Sequence, residues 1–156
     1  MPQLVEAHVQ EDLEAGRNPL LRWVAVDEGV ALGILTASLH LFQGSGEKEN
    51  EVERYACVEI IYNASDVRRI GYTLALHAKA EVQGVGQTLY RTGIATDKGE
   101  STLEEAGIEL SPDARASTLY RHKPRPRLER EKAIDLGDKA LQSAATELGL
   151  KVWGVL

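Results

Sequence analysis

Two groups of residues in this sequence have types and spacings that can do chemistry. The first is the pair Arg68 and Arg69, followed by Gly71 where a helical pattern begins. A glycine permits close approach of the backbone, and the free N–H groups and dipole of a helix N-terminus favour a doubly charged ligand. The pattern predicts a site for a phosphate-bearing ligand. A cationic turn that balances Asp66 is the alternative interpretation.

The second group centres on Glu59, the one charged residue in the run of β-forming residues 55–62. We expect this strand to be covered on both faces, which makes its one carboxylate a candidate for acid–base chemistry. The alternative is a glutamate at a solvated edge, or one that pairs with a nearby arginine.

Other chemistries find little support in the sequence. Cys57 is the only cysteine and has no histidine near it, so we interpret it as a small buried apolar residue. The four histidines lie far apart, and the pairs one helical turn apart with an acidic residue supply only half a metal site. We therefore predict neither a metal centre nor thiol chemistry.

Composition limits the class of protein. The chain has 156 residues, of which 43% are hydrophobic and 27% charged, and its formal net charge is −6. This predicts one domain of ordinary size with a globular core, and it disfavours a general nucleic-acid or anionic-membrane surface. Charged residues and glycines interrupt the longest apolar stretch, residues 24–42, and no signal pattern precedes it. We expect a cytoplasmic protein.

Periodicity gives the order of elements. The patterns predict helices at residues 4–13, 71–83, 101–106 and 128–148, and strands at 21–26, 30–41, 55–62, 88–95 and 116–120, with a loop at 43–50. The predicted fold class is α/β (α+β), a mixed central sheet flanked by helices, with a C-terminal helical extension. We divide the chain into a domain at 1–123 and, at 124–156, a basic proline-containing linker with a docking helix.

From the hairpin to Tyr120 the order of elements, together with residues 58–73, resembles the GNAT superfamily of N-acetyltransferases. In that family the fourth strand leads into an Arg/Gln-x-x-Gly-x-Gly/Ala loop, which Arg68-x-x-Gly71-x-Thr73 matches in part. The resemblance implies that acetyl-CoA is the cofactor and that Glu59 takes a proton from the acceptor amine through water. It further implies a set of cofactor-binding residues: Ile60, Ile61 and Tyr62 for the pantetheine arm, Arg68, Arg69, Gly71, Tyr72 and Thr73 for the pyrophosphate, and Asp97 where the family has an asparagine.

The activity that the resemblance implies is direct attack of an amine, from a small molecule or a protein, on the thioester. Thr73, Asp97, Leu103 and the docking-type C-terminal helix favour another interpretation. Thr73 replaces the family's small residue, and Leu103 stands where the family has its general-acid tyrosine, a role that Tyr90 or Tyr120 would have to fill. The alternative is a catalytically silent structural or docking subunit, for instance of a phage particle, which forms a homo-oligomer or larger assembly through residues 128–156. A third interpretation is an inhibitor or adaptor that binds through the acidic loop at residues 47–53.

Overall fold

A mixed β-sheet runs through the part of the chain that the structure describes. This computed structural model describes residues 3–10, 20–43, 52–112 and 128–154, with the backbone alone at 3–10, 41–43 and 52–53. The strands are β1 Gln3–Gln10, β2 Leu20–Asp27, β3 Val30–Gln43, β4 Val52–Asn63, β5 Thr88–Arg91 and β6 Lys151–Val152. The helices are α1 Ile70–Gly84, α2 Asp97–Glu105 and α3 Arg130–Leu148.

The sheet order is β1-β2-β3-β4-β5. The first four strands pair antiparallel, whereas β4 and β5 pair in parallel. The short β6 pairs with the start of β3, at Val30 and Ala31, where β4 no longer runs alongside. The prediction of a mixed α/β fold with a C-terminal helix is thus confirmed.

The hairpin between β2 and β3 also agrees with the sequence. Glu28 and Gly29 connect the two strands with φ angles of 48° and 77°. Positive φ at both residues is typical of the tight turn whose twist matches that of the flanking strands. The turn sets the register of Asp27 with Val30, and an extra residue at Leu32 then shifts it by one, so that Arg22 lies opposite Thr36.

Each face of the sheet has its own apolar core. On one face α1 and α2 pack over the sheet, and the largest buried side chains there include Trp23, Leu35, Leu74 and Leu103. On the other face α3 packs over Val24, Val26 and Ile34 through Leu141, Ala144 and Ala145. Burial of each large aliphatic side chain contributes about 1.5–3 kcal/mol, so the C-terminal helix is fastened to the sheet of its own chain.

The predicted N-terminal helix is wrong. Residues 3–10 form β1, which pairs antiparallel with β2 from Gln3 opposite Val26 to Gln10 opposite Leu20. An extra residue between Val5 and His8 shifts the register. This irregularity gives the apolar residues a spacing that resembles a helical one, and pairing with β2 decides the outcome.

Smaller differences concern the ends of elements. The strand predicted at 88–95 ends at Arg91, two residues before Gly93 with its φ of 84°. The helix predicted at 101–106 begins earlier, at Asp97. The predicted strand at 116–120, with Tyr120, and almost all of the predicted loop at 43–50 lie outside the described residues.

No helix among the described residues is both long enough and apolar enough to cross a membrane.

Candidate functional site

The candidate site lies where β4 changes its pairing on both sides. On the β3 side, Thr36 pairs with Ile60 and Ala37 with Val58, so Glu59 is an extra residue that forms a β-bulge. On the β5 side, pairing ends at Val58 and Arg91, whereas β4 continues to Asn63. Beyond Glu59 the edge of β4 that faces β5 has no strand partner within the described ranges.

Glu59 belongs to a polar cluster that the sequence interpretation missed. The hydroxyl of Ser38 donates to Oε1 of Glu59 and lies 2.6 Å from Nε2 of His40. That nitrogen is 4.0 Å from the same carboxylate oxygen. Because Ser38 has one hydroxyl proton, which goes to Glu59, the imidazole must donate from Nε2 to the serine oxygen. The three side chains therefore form a hydrogen-bonded chain that runs from His40 through Ser38 to Glu59.

The arrangement differs from that of a serine nucleophile with a histidine base. In such a site the serine and the carboxylate lie on opposite nitrogens of the imidazole, whereas here both face Nε2. The ring of Tyr55 stacks on His40, with ring centroids 5.5 Å apart, and fixes the plane of the imidazole. The expectation of a covered carboxylate is wrong for Glu59, because its side chain at the bulge is 47% exposed while Ser38 and His40 contact it from β3.

The polar cluster continues across the sheet toward β2. Thr36 lies two residues before Ser38 on β3, and Arg22 lies directly opposite Thr36 on β2. Nη2 of Arg22 donates to the carboxylate of Glu147 near the end of α3. We call the five sheet residues the polar strip: Arg22, Thr36, Ser38, His40 and Glu59.

The connection between β4 and α1 is built around Asn63. Its side-chain oxygen accepts from the backbone N–H and the hydroxyl of Ser65, and its amide group donates to the carbonyl of Val67. Arg69 then adopts a left-handed conformation, with φ 64°, and α1 begins at Ile70. The first intrahelical bond is donated by Thr73 to the carbonyl of Arg69. The N–H groups just before Thr73 are those that a helix leaves without a helical partner.

Of the two arginines at this helix start, Arg69 is already engaged. Its guanidinium donates to Glu105 at 2.9 Å and lies over the ring of Tyr72, 4.2 Å from its centroid. The hydrogen bond to Glu105 is the largest cause that raises the pKa of Arg69. Arg68 and Thr73 are exposed. The predicted pairing of the arginines with Asp66 gives way, for Arg69, to one with Glu105.

The three residues predicted to hold a pantetheine arm lie on the part of β4 beyond its pairing with β5, and their side chains alternate between the two faces of the sheet. Ile61 faces α1 and α2, where a Cβ on Gly71 or Gly99 would lie within 3.5 Å of its side chain. Ile60 and Tyr62 face α3. The Tyr62 hydroxyl donates to Asp138 at 2.5 Å, and burial, followed by this hydrogen bond, raises the pKa of Tyr62 to about 12.

Asp97 lies at the start of α2, next to the N-cap Thr96, whose hydroxyl accepts from the N–H of Gly99 at 3.0 Å. Arg91, at the end of β5, links the loop before α2 to that helix. Its guanidinium donates to the buried Glu100 at 2.6 Å and pairs with Glu104. Leu103 is 1% exposed in the apolar core, and Tyr90 is buried against Tyr55. Asp97 thus lies on a different element from the polar strip.

The structure brings some of the predicted residues together and leaves others apart. Glu59 to Tyr62 and the start of α1 follow one another along β4 and its connecting loop. Arg22, Thr36, Ser38 and His40 were not predicted as site residues. Their signal in the sequence is the alternation of polar residues at 36, 38 and 40 within an apolar strand, which places the three side chains on one face.

Comparisons with family models, with curated proteins and with solved structures gave no match to this chain.

Proposed function

We propose that this protein transfers an acetyl group from acetyl-CoA to an amine, the activity that the GNAT resemblance implies. The observation that carries the proposal is the separation of β4 from β5. The two strands pair in parallel for four residues, from Tyr55 with Thr88 to Val58 with Arg91, and β4 then runs on for five residues. The separation begins at the bulge that carries Glu59.

An unpaired strand edge binds extended molecules that carry amide groups, because its N–H and C=O groups form ladder-like hydrogen bonds with them. The pantetheine arm of acetyl-CoA contains two amides in an extended chain. The edge at residues 60–62, which has no strand partner among the described residues, leads through the Asn63 loop directly to the start of α1. A pantetheine on this edge would therefore extend toward a helix N-terminus, the kind of site that binds a pyrophosphate.

Charge at the helix start is compatible with such a ligand. Arg68 is exposed beside it. The Arg69–Glu105 pair is 57% exposed on both side chains, and exposed pairs of this kind contribute little to stability. Arg69 can thus exchange the Glu105 carboxylate for a phosphate oxygen at small cost.

In the proposed reaction Glu59 accepts a proton from the amine, and the amine nitrogen attacks the thioester carbonyl. A carbon–nitrogen bond forms, the carbon–sulfur bond breaks, and the thiolate leaves with the electron pair. Ser38 and His40 hold the carboxylate of Glu59 in place, and in this proposal its proton passes to solvent, to which the side chain is 47% exposed. No phenol stands at Leu103, so in this proposal solvent protonates the thiolate.

A second candidate function rests on Leu103 and Arg69. A leucine buried in the core supplies no general acid, and the guanidinium of Arg69 already contacts Glu105 and Tyr72. These contacts favour a scaffold without chemistry, which serves as a structural or docking subunit in an oligomer or larger assembly. The two candidates differ in whether acetyl-CoA binds.

Thermal melting of the purified protein with and without millimolar acetyl-CoA separates them. A ligand at about 100 times its Kd adds ~2.7 kcal/mol, which for a chain of this length raises Tm by ~5–10 °C. We expect such a shift, and in Arg68→Gln a Kd about tenfold weaker, since a charged hydrogen bond contributes ~1.5 kcal/mol or more. Arg130→Gln, at the exposed start of α3, is the matched control. No shift in the wild type favours the scaffold.

A further inference from the structure

Helix α3 is buried on its sheet-facing side along its second half and exposed along its first. Leu141 is fully buried over the sheet, and Gly137 packs against Tyr62 on β4. Ile134 lies seven residues before Leu141, which places it on the same side of the helix. It is nevertheless 40% exposed. The sheet that covers Leu141 therefore does not cover Ile134.

The direction of α3 explains this difference. Gly137 meets Tyr62 on β4, and Glu147, ten residues later, binds Arg22 on β2, so the helix passes over β4, β3 and β2 in turn. It begins at Arg130, and its residues before Gly137 continue past the edge of β4 over a length of ~10 Å at 1.5 Å per residue. Strands of one sheet lie ~4.8 Å apart. The overhang thus covers the width of one more extended chain, where β5 has already separated from β4.

The overhang is one wall of a slot along the edge of β4, which has no strand partner there among the described residues. The loop after β5 lies on the far side, because the N–H of Leu128, just before α3, donates to the carbonyl of Ile94 at 2.8 Å. On the other face of the sheet α2 approaches β4, where a Cβ on Gly99 would lie 3.4 Å from Cγ2 of Ile61. Residues 60–62 on the edge are only partly buried, so the slot is accessible from solvent.

We propose that the first two turns of α3 form a wall of the acetyl-CoA site, with Ile134 against the apolar part of the pantetheine arm. This inference rests on the proposed acetyl transfer. Ile134 lies one turn from Gly137 and therefore near Tyr62, at the end of the edge that leads to α1. The arm carries two methyl groups between its second amide and the pyrophosphate, which is the corresponding place in an extended ligand. Contact with Ile134 removes both apolar surfaces from water.

The shape of the slot favours this occupant over a folded partner. A slot one chain wide admits an extended molecule with amide groups, but neither a helix nor the surface of a second domain. It also continues into both parts of the proposed site, the bulge at Glu59 and the helix start at Ile70. The C-terminal helix, which the sequence predicts as a docking element, then has a ligand-binding side at Ile134 and an outer side at Leu136.

Calorimetric titration with acetyl-CoA compares Ile134→Gln with Leu136→Gln, the same kind of change two residues along and on the opposite side of α3. The two side chains are similarly exposed, 40% and 45%, and glutamine is a good helix former, so both variants should fold with a Tm close to that of the wild type. We expect Kd to rise about fivefold to tenfold in Ile134→Gln and to stay unchanged in Leu136→Gln. Ile134→Ala, which introduces no polar group, should give a smaller rise.

A ligand without the arm locates the contact. Adenosine bisphosphate, the nucleotide end of CoA, should bind the wild type and Ile134→Gln with equal affinity. A loss of affinity for this ligand in Ile134→Gln would show a general disturbance of the site and overturn the assignment of Ile134 to the arm.

The outcomes also separate this inference from the proposed function. If the wild type binds acetyl-CoA and Ile134→Gln binds it equally well, the role of α3 is refuted and acetyl transfer is not. If the wild type does not bind acetyl-CoA, both are refuted. Sedimentation of the same variants tests a second copy as the occupant: self-association of the wild type that only Ile134→Gln abolishes, with unchanged acetyl-CoA affinity, would overturn the proposal.

Discussion

Replacement of Gly137 by alanine tests how closely α3 must approach β4. A Cβ at this position would lie 2.3 Å from Cγ, 2.6 Å from Cδ1 and 2.7 Å from Cβ of Tyr62. A Cβ is fixed to the backbone and cannot rotate away, so the helix or the strand has to move. We expect Gly137→Ala to push α3 away from β4 and to weaken the hydrogen bond from Tyr62 to Asp138.

The magnitude follows from two opposing effects. Overpacking of a core costs ~1–3 kcal/mol, and three contacts far inside van der Waals distance favour the upper end of that range. Alanine in place of glycine within a helix recovers ~1 kcal/mol. The expected net loss is ~2 kcal/mol, or ~4–8 °C in Tm for a chain of this length. Gly84→Ala, where a Cβ on α1 would meet nothing within 4 Å, is the matched control and should not lower Tm.

The titration of Tyr62 gives a second readout. Burial and the bond to Asp138 raise the pKa of Tyr62 to about 12, so its contribution to stability is complete below pH ~10 and is lost as the pH rises through ~12. In Gly137→Ala the displaced helix should lower this pKa, measured by absorbance titration with Tyr62→Phe as the blank for the other tyrosines. A variant with unchanged Tm and unchanged titration would refute the close contact between α3 and β4.

Three further substitutions test the site and its supports. Glu59→Gln should slow acetyl transfer by about tenfold or more with little change in acetyl-CoA affinity, measured by release of the CoA thiol; unchanged turnover would remove Glu59 from the mechanism. Glu100→Gln leaves the guanidinium of Arg91 without its buried partner and should cost ~3 kcal/mol in denaturant unfolding, whereas the exposed Glu105→Gln should leave the midpoint unchanged. Equal effects of these two changes would contradict the burial of the Arg91 pair. Thr96→Ala removes the N-cap of α2 and should cost ~1 kcal/mol, and an unchanged unfolding midpoint would show that the cap contributes nothing.

Elements with strong local signals could be predicted from the sequence. The run 55–62 is apolar and rich in β-forming residues, and β4 indeed lies between β3 and β5 with a core on each side. Helix α1 has its predicted position because Leu74, Ala75, Ala78 and Val82 repeat at helical spacing and are all buried. The apolar stripe of α3 likewise predicts a docked helix, but only its second half is buried, since Ile134 and Leu136 are 40% and 45% exposed. In each case the positions of the buried residues can be predicted from that segment alone.

Features that depend on pairing between segments could not be predicted in the same way. The polar strip combines residues from three strands, and their proximity depends on the register of β2 with β3 and of β3 with β4. The pairing of Arg69 with Glu105 depends on the packing of α1 beside α2. The N-terminal segment is a strand because it pairs with β2. The spacing of its own apolar residues does not indicate this partner.

The bulge at Glu59 connects packing with the proposed chemistry. Ala56 and Val58 face the core beneath α1, whereas Ile60 and Tyr62 face α3. In a regular strand, residues 58 and 60 would share a face. The apolar pattern of β4 therefore alternates correctly only if Glu59 is left out, and packing of the two cores does not require this residue. Packing does not require Glu59, β4 leaves β5 at this point, and the carboxylate is hydrogen-bonded to Ser38. This is the placement that a functional group would have.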